Sequence, residues 1–443
     1  MDGETCLDDE SRVVAATDFG HIVHGAPLAI VRPASVRDVS LALAWAAQSR
    51  CQVAAQGRKH SVFGRCQVER GLALDMSSLR RVHGADGDLV VVDAGATWRD
   101  VLAATLPRGL APPALPDYLG LSVGGTLVVG GMGSAASQFG AVSDNVVELQ
   151  VVTGAGEVMT CSGARNPALF DAVRGGLGQV GVITRATLKL VPAPAEVRRF
   201  VLSYASLEAL LVDQRLLAAG QRFDAAQGAA VPTPNGWSFR LDAIKKIFGR
   251  PPDDGELLAG LADDRPRAQI ATLPYLDYLS RLDALEQALR DNGQWSFPHP
   301  WLTTFIGDSQ AEAIVPGELT RLTPPDLGPF GQVLLSAFRT QAFRTPLLRL
   351  PPEPLCHVLN LVRIPASDDP TTAARLVAAN RATYERLRAA GGTLYPVSAF
   401  AMSRDDWRIH FGGSFEALRA AKEEFDPANL LAPGYGVFEP AAG

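Results

Sequence analysis

The sequence predicts a globular protein of more than one domain, with an α/β pattern in its first part, and three observations carry that reading. Its 443 residues exceed what one ordinary core accommodates, so two or three domains are expected. Over residues 27–194 short apolar runs alternate with segments of helical periodicity, as strands alternating with helices would. From 196 the texture changes to long amphipathic helices divided by proline-rich loops such as "LTPPDLGPF" and "RLPPEPL". The expected division is 1–195, 196–400 and a final segment, 401–443.

The elements follow in order. After Pro27, "LAIV" is a short buried strand, and "SVRDV" opens a helix with Ser35 as N-cap and Asp38 three residues later, as in a capping box. "CQVAAQG" and "GLALDMSSL" are strands, and "DLVVVDAGATWRDVLAATL" is a strand running into a helix. Residues 119–134, "LGLSVGGTLVVGGMGS", read as a glycine-dense loop, and "VVT" and "EVMT" form a hairpin around "GAG". "PALFDAVRGGLGQVGVITRATLKLVPAP" gives a helix, a glycine turn and a strand closed by Pro192 and Pro194. Later, "DALEQALRDNG" and "TAARLVAANRATYERLRAAGG" are helices. The final segment reads as one helix followed by a Pro/Gly loop. There is no internal repeat.

Composition narrows the function classes. With 47% hydrophobic and 20% charged residues the chain has the make-up of a soluble globular protein. A net charge of -6 without a basic block lacks the footprint of a nucleic-acid binder. The acidic start "MDGETCLDDESRVVAATDFG" has no apolar core of a secretory signal, and no run reaches the ~18 apolar residues of a membrane span. The five cysteines, Cys6, Cys51, Cys66, Cys161 and Cys356, form no CxxC pair, which argues against a disulfide scaffold or a structural zinc site. A cytoplasmic location is expected, and no metal-ligand spacing is present.

Two glycine segments, 57–64 and 120–133, each read as following a strand. Glycine permits positive φ and close approach of a ligand, and consecutive amides in such a turn form an anion-binding nest. A dinucleotide pyrophosphate is the obvious guest. Read alone, "GRKHS" is an ordinary tight turn, since so short a glycine pattern is weak. Neither G-x-G-x-x-G nor "GKS" occurs at these segments, which disfavours a Rossmann dinucleotide site and a P-loop.

Taken together, several motifs resemble FAD-linked oxidases of the vanillyl-alcohol-oxidase type, and among them the cytokinin dehydrogenases. They are "DFGHIVHGAPLAIVRPASVRDV", "GRKHSVFGRCQVERGLALDMSSL", "PDYLGLSVGGTLVVGG", "GEVMTCS", "LFDAVRGGLGQVGVITRATL", "FPHPWL", "WRIHFGG" and "FDPANLLAPGYGVF". The match is close through 18–194 and 401–443 and thin between. The resemblance implies an α+β, two-domain PCMH-type FAD-binding fold. The substrate domain, an antiparallel sheet flanked by helices, is inserted before the C-terminal segment, which returns to the FAD domain.

The resemblance also implies roles for individual residues. The loop Gln56, Gly57, Arg58, Lys59, His60, Ser61 cradles the pyrophosphate, and His60 is the covalent tether to the flavin 8-methyl carbon. Lys59 stands where the family has Gly; it either strains the backbone by about 1 kcal/mol or pairs with a phosphate. The absence of cysteine from 111–134 implies a single tether, with Cys66 structural. Ser122, Gly124, Gly125, Ile183 and Tyr395 correspond to flavin contacts. Arg65 and Tyr435 replace glutamines of the family beside the cofactor. Asp117 of "PDYLGL" is the catalytic base that takes a proton as hydride leaves the substrate, and an apolar, water-poor pocket suits that task. Gln227 of "FDAAQG" stands where the family has a second acid, and it cannot carry a negative charge. His299 and His410 read as structural.

The resulting expectation is an FAD-dependent oxidoreductase acting on a C–H next to nitrogen or oxygen of a small molecule, with O2 or a quinone as electron acceptor. Two alternatives stay open: a biosynthetic alcohol oxidase or oxidative cyclase on the same fold, and a flavin-binding protein without catalysis. Substrate and oligomeric state are not legible.

Overall fold

The protein is described by a computed structural model over residues 2–438, so the last five residues of the expected C-terminal segment lie outside the description. Three sheets are built before residue 196. In the first, the strands Glu4–Cys6, Ala29–Arg32, Leu72–Asp75 and Val53–Gln56 lie side by side in that order. The first pair is antiparallel and the rest are parallel. The second is antiparallel, in the order Val82–Asp86, Leu89–Asp93, Gly181–Lys189, Val146–Thr153, Val158–Ser162. A short ribbon pairs Leu110–Ala111 with Val191–Pro192.

Local chemistry explains the helix starts. The helix Val36–Ser49 begins where the Ser35 side chain accepts from the Asp38 amide, and it buries Val39, Leu43 and Ala46 against Val53 and Leu74. The helix Trp98–Thr105 starts in a Thr97/Asp100 capping box and buries Trp98, Val101 and Leu102.

Residues 196–394 supply an eight-stranded antiparallel sheet. Its order is Gln269–Pro274, Glu196–Tyr204, Gly236–Ile247, Ala225–Thr233, Gln332–Arg339, Leu355–Val362, Leu302–Gly307, Thr393–Leu394. The helices Leu207–Gly220, Asp308–Arg321 and Pro370–Ala389 pack on it. Leu210 and Leu217 meet Phe200 and Leu241 from the sheet. The chain then returns to the first sheet: the Val53 amide donates to Leu430 O (2.9 Å) and the Ala432 amide to Val53 O (3.0 Å). This is the α+β architecture expected from the sequence.

Two local expectations need correction. Residues 120–133 are not a bare loop after a strand, because Val123–Leu127 is a short helix. Its entry is fixed from outside, by Val123 N donating to Ala96 O and Gly124 N to Ala94 O, both 2.8 Å. Two adjacent glycines hide such a helix from any propensity argument. The final segment holds two helices, Arg404–Phe411 and Phe415–Phe425, and not one. The break falls at Gly412, which takes a left-handed φ of 51°.

Candidate active site

One cavity of about 420 Å³ runs from the glycine loop at 57–61 to the face of the eight-stranded sheet. Its walls include Ser122, Gly124, Gly125, Ile183, Asp117, Gln227, Arg65, Tyr395 and Tyr435.

The glycine loop is positioned by a segment whose part the sequence did not disclose. Asp18 is 2% exposed, and its carboxylate accepts from Ser61 Oγ (2.6 Å), the Gly64 amide (2.7 Å) and the Gly20 amide (3.1 Å). Backbone bonds from Phe19 to Lys59 O and from Gly20 to Ser61 O complete the clamp. Phe19 then stacks on His60 on one side and on His299 on the other, each with ring centres 4.0 Å apart. Tyr118 and Trp301 close round the imidazole at 4.9 and 6.0 Å. In this apolar cage burial pulls the His60 pKa down to about 3, with His299 and Arg58 adding to the effect, so the imidazole is neutral and carries a lone pair.

Burial acts on Asp18 in the opposite sense. It pushes that carboxyl from 3.8 up to about 6, against the three donors. The folded protein then holds a proton that the unfolded chain has released. Stability from this group is full below about 4 and is lost as pH rises through about 6, a change of about 3 kcal/mol. Urea unfolding between pH 4 and 7 should therefore show a steeper loss of stability with pH in the native protein than in Asp18→Asn; equal slopes would refute the assignment.

Several expected residues are placed differently from the simplest reading. Lys59 does adopt a left-handed φ of 51°, but its ammonium donates to Val14 O at the end of the first helix, so the expected phosphate pairing is replaced by a helix-terminus contact. The Gln56 amide is turned away to Ala15 O and Cys66 O (2.8 and 3.0 Å), which leaves the loop's backbone to face the cavity. Ser61 is committed to Asp18. Cys66 is a free thiol that burial pushes up to about 12, in keeping with a structural role. His410 is 6% exposed, wedged between Trp407 and Phe411.

The two glycine segments touch where only glycine fits: a Cβ on Gly57 would lie 2.2 Å from Ser122 Oγ. Ile183 presents itself to the cavity where the register of its strand shifts between Ile183 and Arg185. The Tyr395 hydroxyl accepts from the Gly131 amide (3.1 Å) and so ties the eight-stranded sheet to the second glycine segment. Arg65 is 6% exposed and lies over Tyr435 and Trp407, donating to Phe400 O (2.8 Å) and Gly434 O (3.2 Å).

Asp117 lines this mostly apolar cavity, as expected, but its carboxylate is held there by polar partners. Arg281 Nη2 donates to its Oδ1 (2.6 Å), Gln227 Nε2 to its Oδ2 (2.9 Å), and the Ser134 amide lies 3.3 Å from Oδ1. The carboxylate, once taken into the protein, needs such partners. Arg281 escaped the sequence reading because it sits in the part of the chain where the resemblance is thinnest. Its only local signal is Tyr278 three residues earlier, on whose ring the guanidinium stacks at 4.5 Å. Next door, burial and Glu286 push the Tyr118 phenol up, so it stays protonated.

Residues 27–162 match a family described as "FAD binding domain", and residues 256–438 match "Cytokinin dehydrogenase 1, FAD and cytokinin binding". An oxidoreductase of the fasciation locus of Rhodococcoides fascians is 40% identical, the alignment covering 98% of this chain and 99% of that protein. Cytokinin dehydrogenase 8 of Oryza sativa is 32% identical over 96% of this chain and 90% of its own length. The chain belongs to the cytokinin dehydrogenase family of FAD-dependent oxidoreductases. The solved structure of 6-hydroxy-D-nicotine oxidase from Arthrobacter nicotinovorans shares the fold, with a TM-score of 0.74, 22% identity, and 97% and 96% of the two chains covered.

The residues of this family member fit its cofactor. Arg58 of the glycine loop and the buried Arg65 put basic groups on the cavity wall, as a diphosphate needs. Arg65 Nε is buried with no hydrogen-bond partner, a polar atom left for a ligand to satisfy. Among the described residues no helix is long and apolar enough to cross a membrane, and no His/Cys/Asp/Glu group could hold a metal.

Proposed function

We propose that this protein oxidises a C–H bond next to nitrogen in a small molecule, in the manner of the cytokinin dehydrogenases, with Asp117 as base and His60 as the flavin tether. The observation that carries the reading is the Asp117 carboxylate, fixed at the cavity wall by Arg281 and Gln227 at 2.6 and 2.9 Å. FAD, held by the glycine loop and the Ser122–Gly125 segment, would supply the hydride acceptor. Asp117 takes the proton from the substrate nitrogen, and Gln227 holds the carboxylate by its second oxygen, so the proton has one defined destination. Leu282, Leu285 and Leu289 line the same cavity and exclude water from that transfer. O2 or a quinone would serve as the final electron acceptor.

The test is anaerobic mixing of the yellow holoenzyme with an isoprenoid adenine. Bleaching of the visible flavin band, with release of free adenine and an aldehyde after hydrolysis of the imine, is the expected result. Gln227 in place of the family's acid favours a second reading, in which a C–H next to oxygen is oxidised. Bleaching by primary alcohols and not by the adenine would establish that reading and overturn the first.

A further inference from the structure

Arg281 is the member of the site for which sequence and family resemblance supplied no role. Its side chain is only 11% exposed, and that of Asp117 23%. Four residues close a ring. Arg281 donates to Asp117, the Ser134 amide donates to Asp117, the Ser134 and Tyr278 hydroxyls meet at 3.5 Å, and the Tyr278 ring lies beneath the guanidinium at 4.5 Å. Arg281 Nη1 also donates to Tyr278 O (3.3 Å), which fixes the plane of the fork. Behind it the eight-stranded sheet brings Asp242 opposite Gln227 in register, and Asp242 is itself bridged by Arg199 at 2.6 and 3.0 Å.

Charges therefore alternate through the wall: Asp117, Arg281, Asp242, Arg199. The other titratable groups facing Arg281 are the phenols of Tyr278 and Tyr275. A carboxylate offers about four lone-pair positions. Here three are taken, by Arg281, Ser134 and Gln227.

We propose that Arg281 is a positioning residue of the reaction: it fixes which lone pair of Asp117 is left for the substrate proton and sets a full positive charge against Oδ1. The family's second acid is Gln227 here, so the Arg281 guanidinium meets one carboxylate at the cavity wall, Asp117, with Asp242 behind it. The inference rests on the reading of Asp117 as base.

The experiment is an infrared titration of the holoenzyme from pH 9 to pH 4, with Asp117→Asn as the reference that isolates the carboxylic-acid C=O band of Asp117. In Arg281→Met the pH at which this band appears should rise by about one to three units relative to the native protein. Arg281→Lys should restore most of the difference. Arg281→Gln, which keeps an amide donor without the charge, should behave as the Met variant, and it carries the test if the Met variant does not retain bound flavin. A merely structural role would lower flavin content or stability and leave the band where it is, and that result overturns the inference. Flavin reduction by an isoprenoid adenine at an undiminished rate in Asp117→Asn would instead overturn the reading of Asp117 and leave the infrared result to stand by itself.

Discussion

Replacing Asp117 by Asn should lower the rate of flavin reduction by a factor of about 10²–10⁴ while the protein stays yellow. The amide is nearly the same size, so the contacts of Pro116 and Tyr118 on either side are kept, and the glycine loop is untouched. What is lost is the ability to take a proton. The amide also turns a donor toward either Arg281 or Gln227, both of which now donate to the carboxylate. That mismatch should cost about 1–3 kcal/mol of stability. Stopped-flow reduction, together with thermal unfolding of the same sample, separates the two effects. A variant that loses stability but reduces its flavin at the native rate would show that Asp117 holds the wall together and takes no proton.

The second large effect is expected at His60. Acid precipitation of the native protein should leave the yellow colour in the pellet, and precipitation of His60→Ala should send all of it to the supernatant. The neutral imidazole is the form that can bond to carbon, and the cage of Phe19, Tyr118 and Trp301 supplies it at any pH above about 3. The variant should still bind FAD before acid treatment, because Arg58, Arg65 and the 122–125 segment are untouched. Colour in the supernatant from the native protein as well would falsify the tether and leave the cradle standing.

The sequence disclosed the fold where local chemistry and periodicity agree, and lost it where distant contacts decide. Ser35, with Asp38 three positions on, marks a helix start, and the helix is there. The helix Val123–Leu127 was missed because its stability comes from Ala94 and Ala96, about thirty residues upstream, and its glycines argue against it. At the site, the motif named Asp117 and Gln227, and the structure joins them at 2.9 Å across 110 positions of sequence. It gave no sign of Asp18 or Arg281. Both act on groups far along the chain, and nothing in the spacing of a lone Asp before Phe-Gly, or of an Arg after Tyr-Leu-Ser, points to its partner. Lys59 was correctly suspected of a strained backbone, but the destination of its ammonium depended on where the first helix ends.

The wall around His60 is assembled from opposite reaches of the polypeptide. Phe19 and His299, whose rings stack in one column with it, are 280 positions apart, and the strand at Val53 gains its last neighbour only from residues 430–432. A growing chain on the ribosome can form the glycine turn early, yet it has nothing to close the column until the "FPHPWL" segment has emerged, and no edge partner for Val53 until synthesis is almost done. Completion of the cofactor wall is thereby tied to completion of the chain, since the last contact that closes the sheet at Val53 is made by residues 430–432.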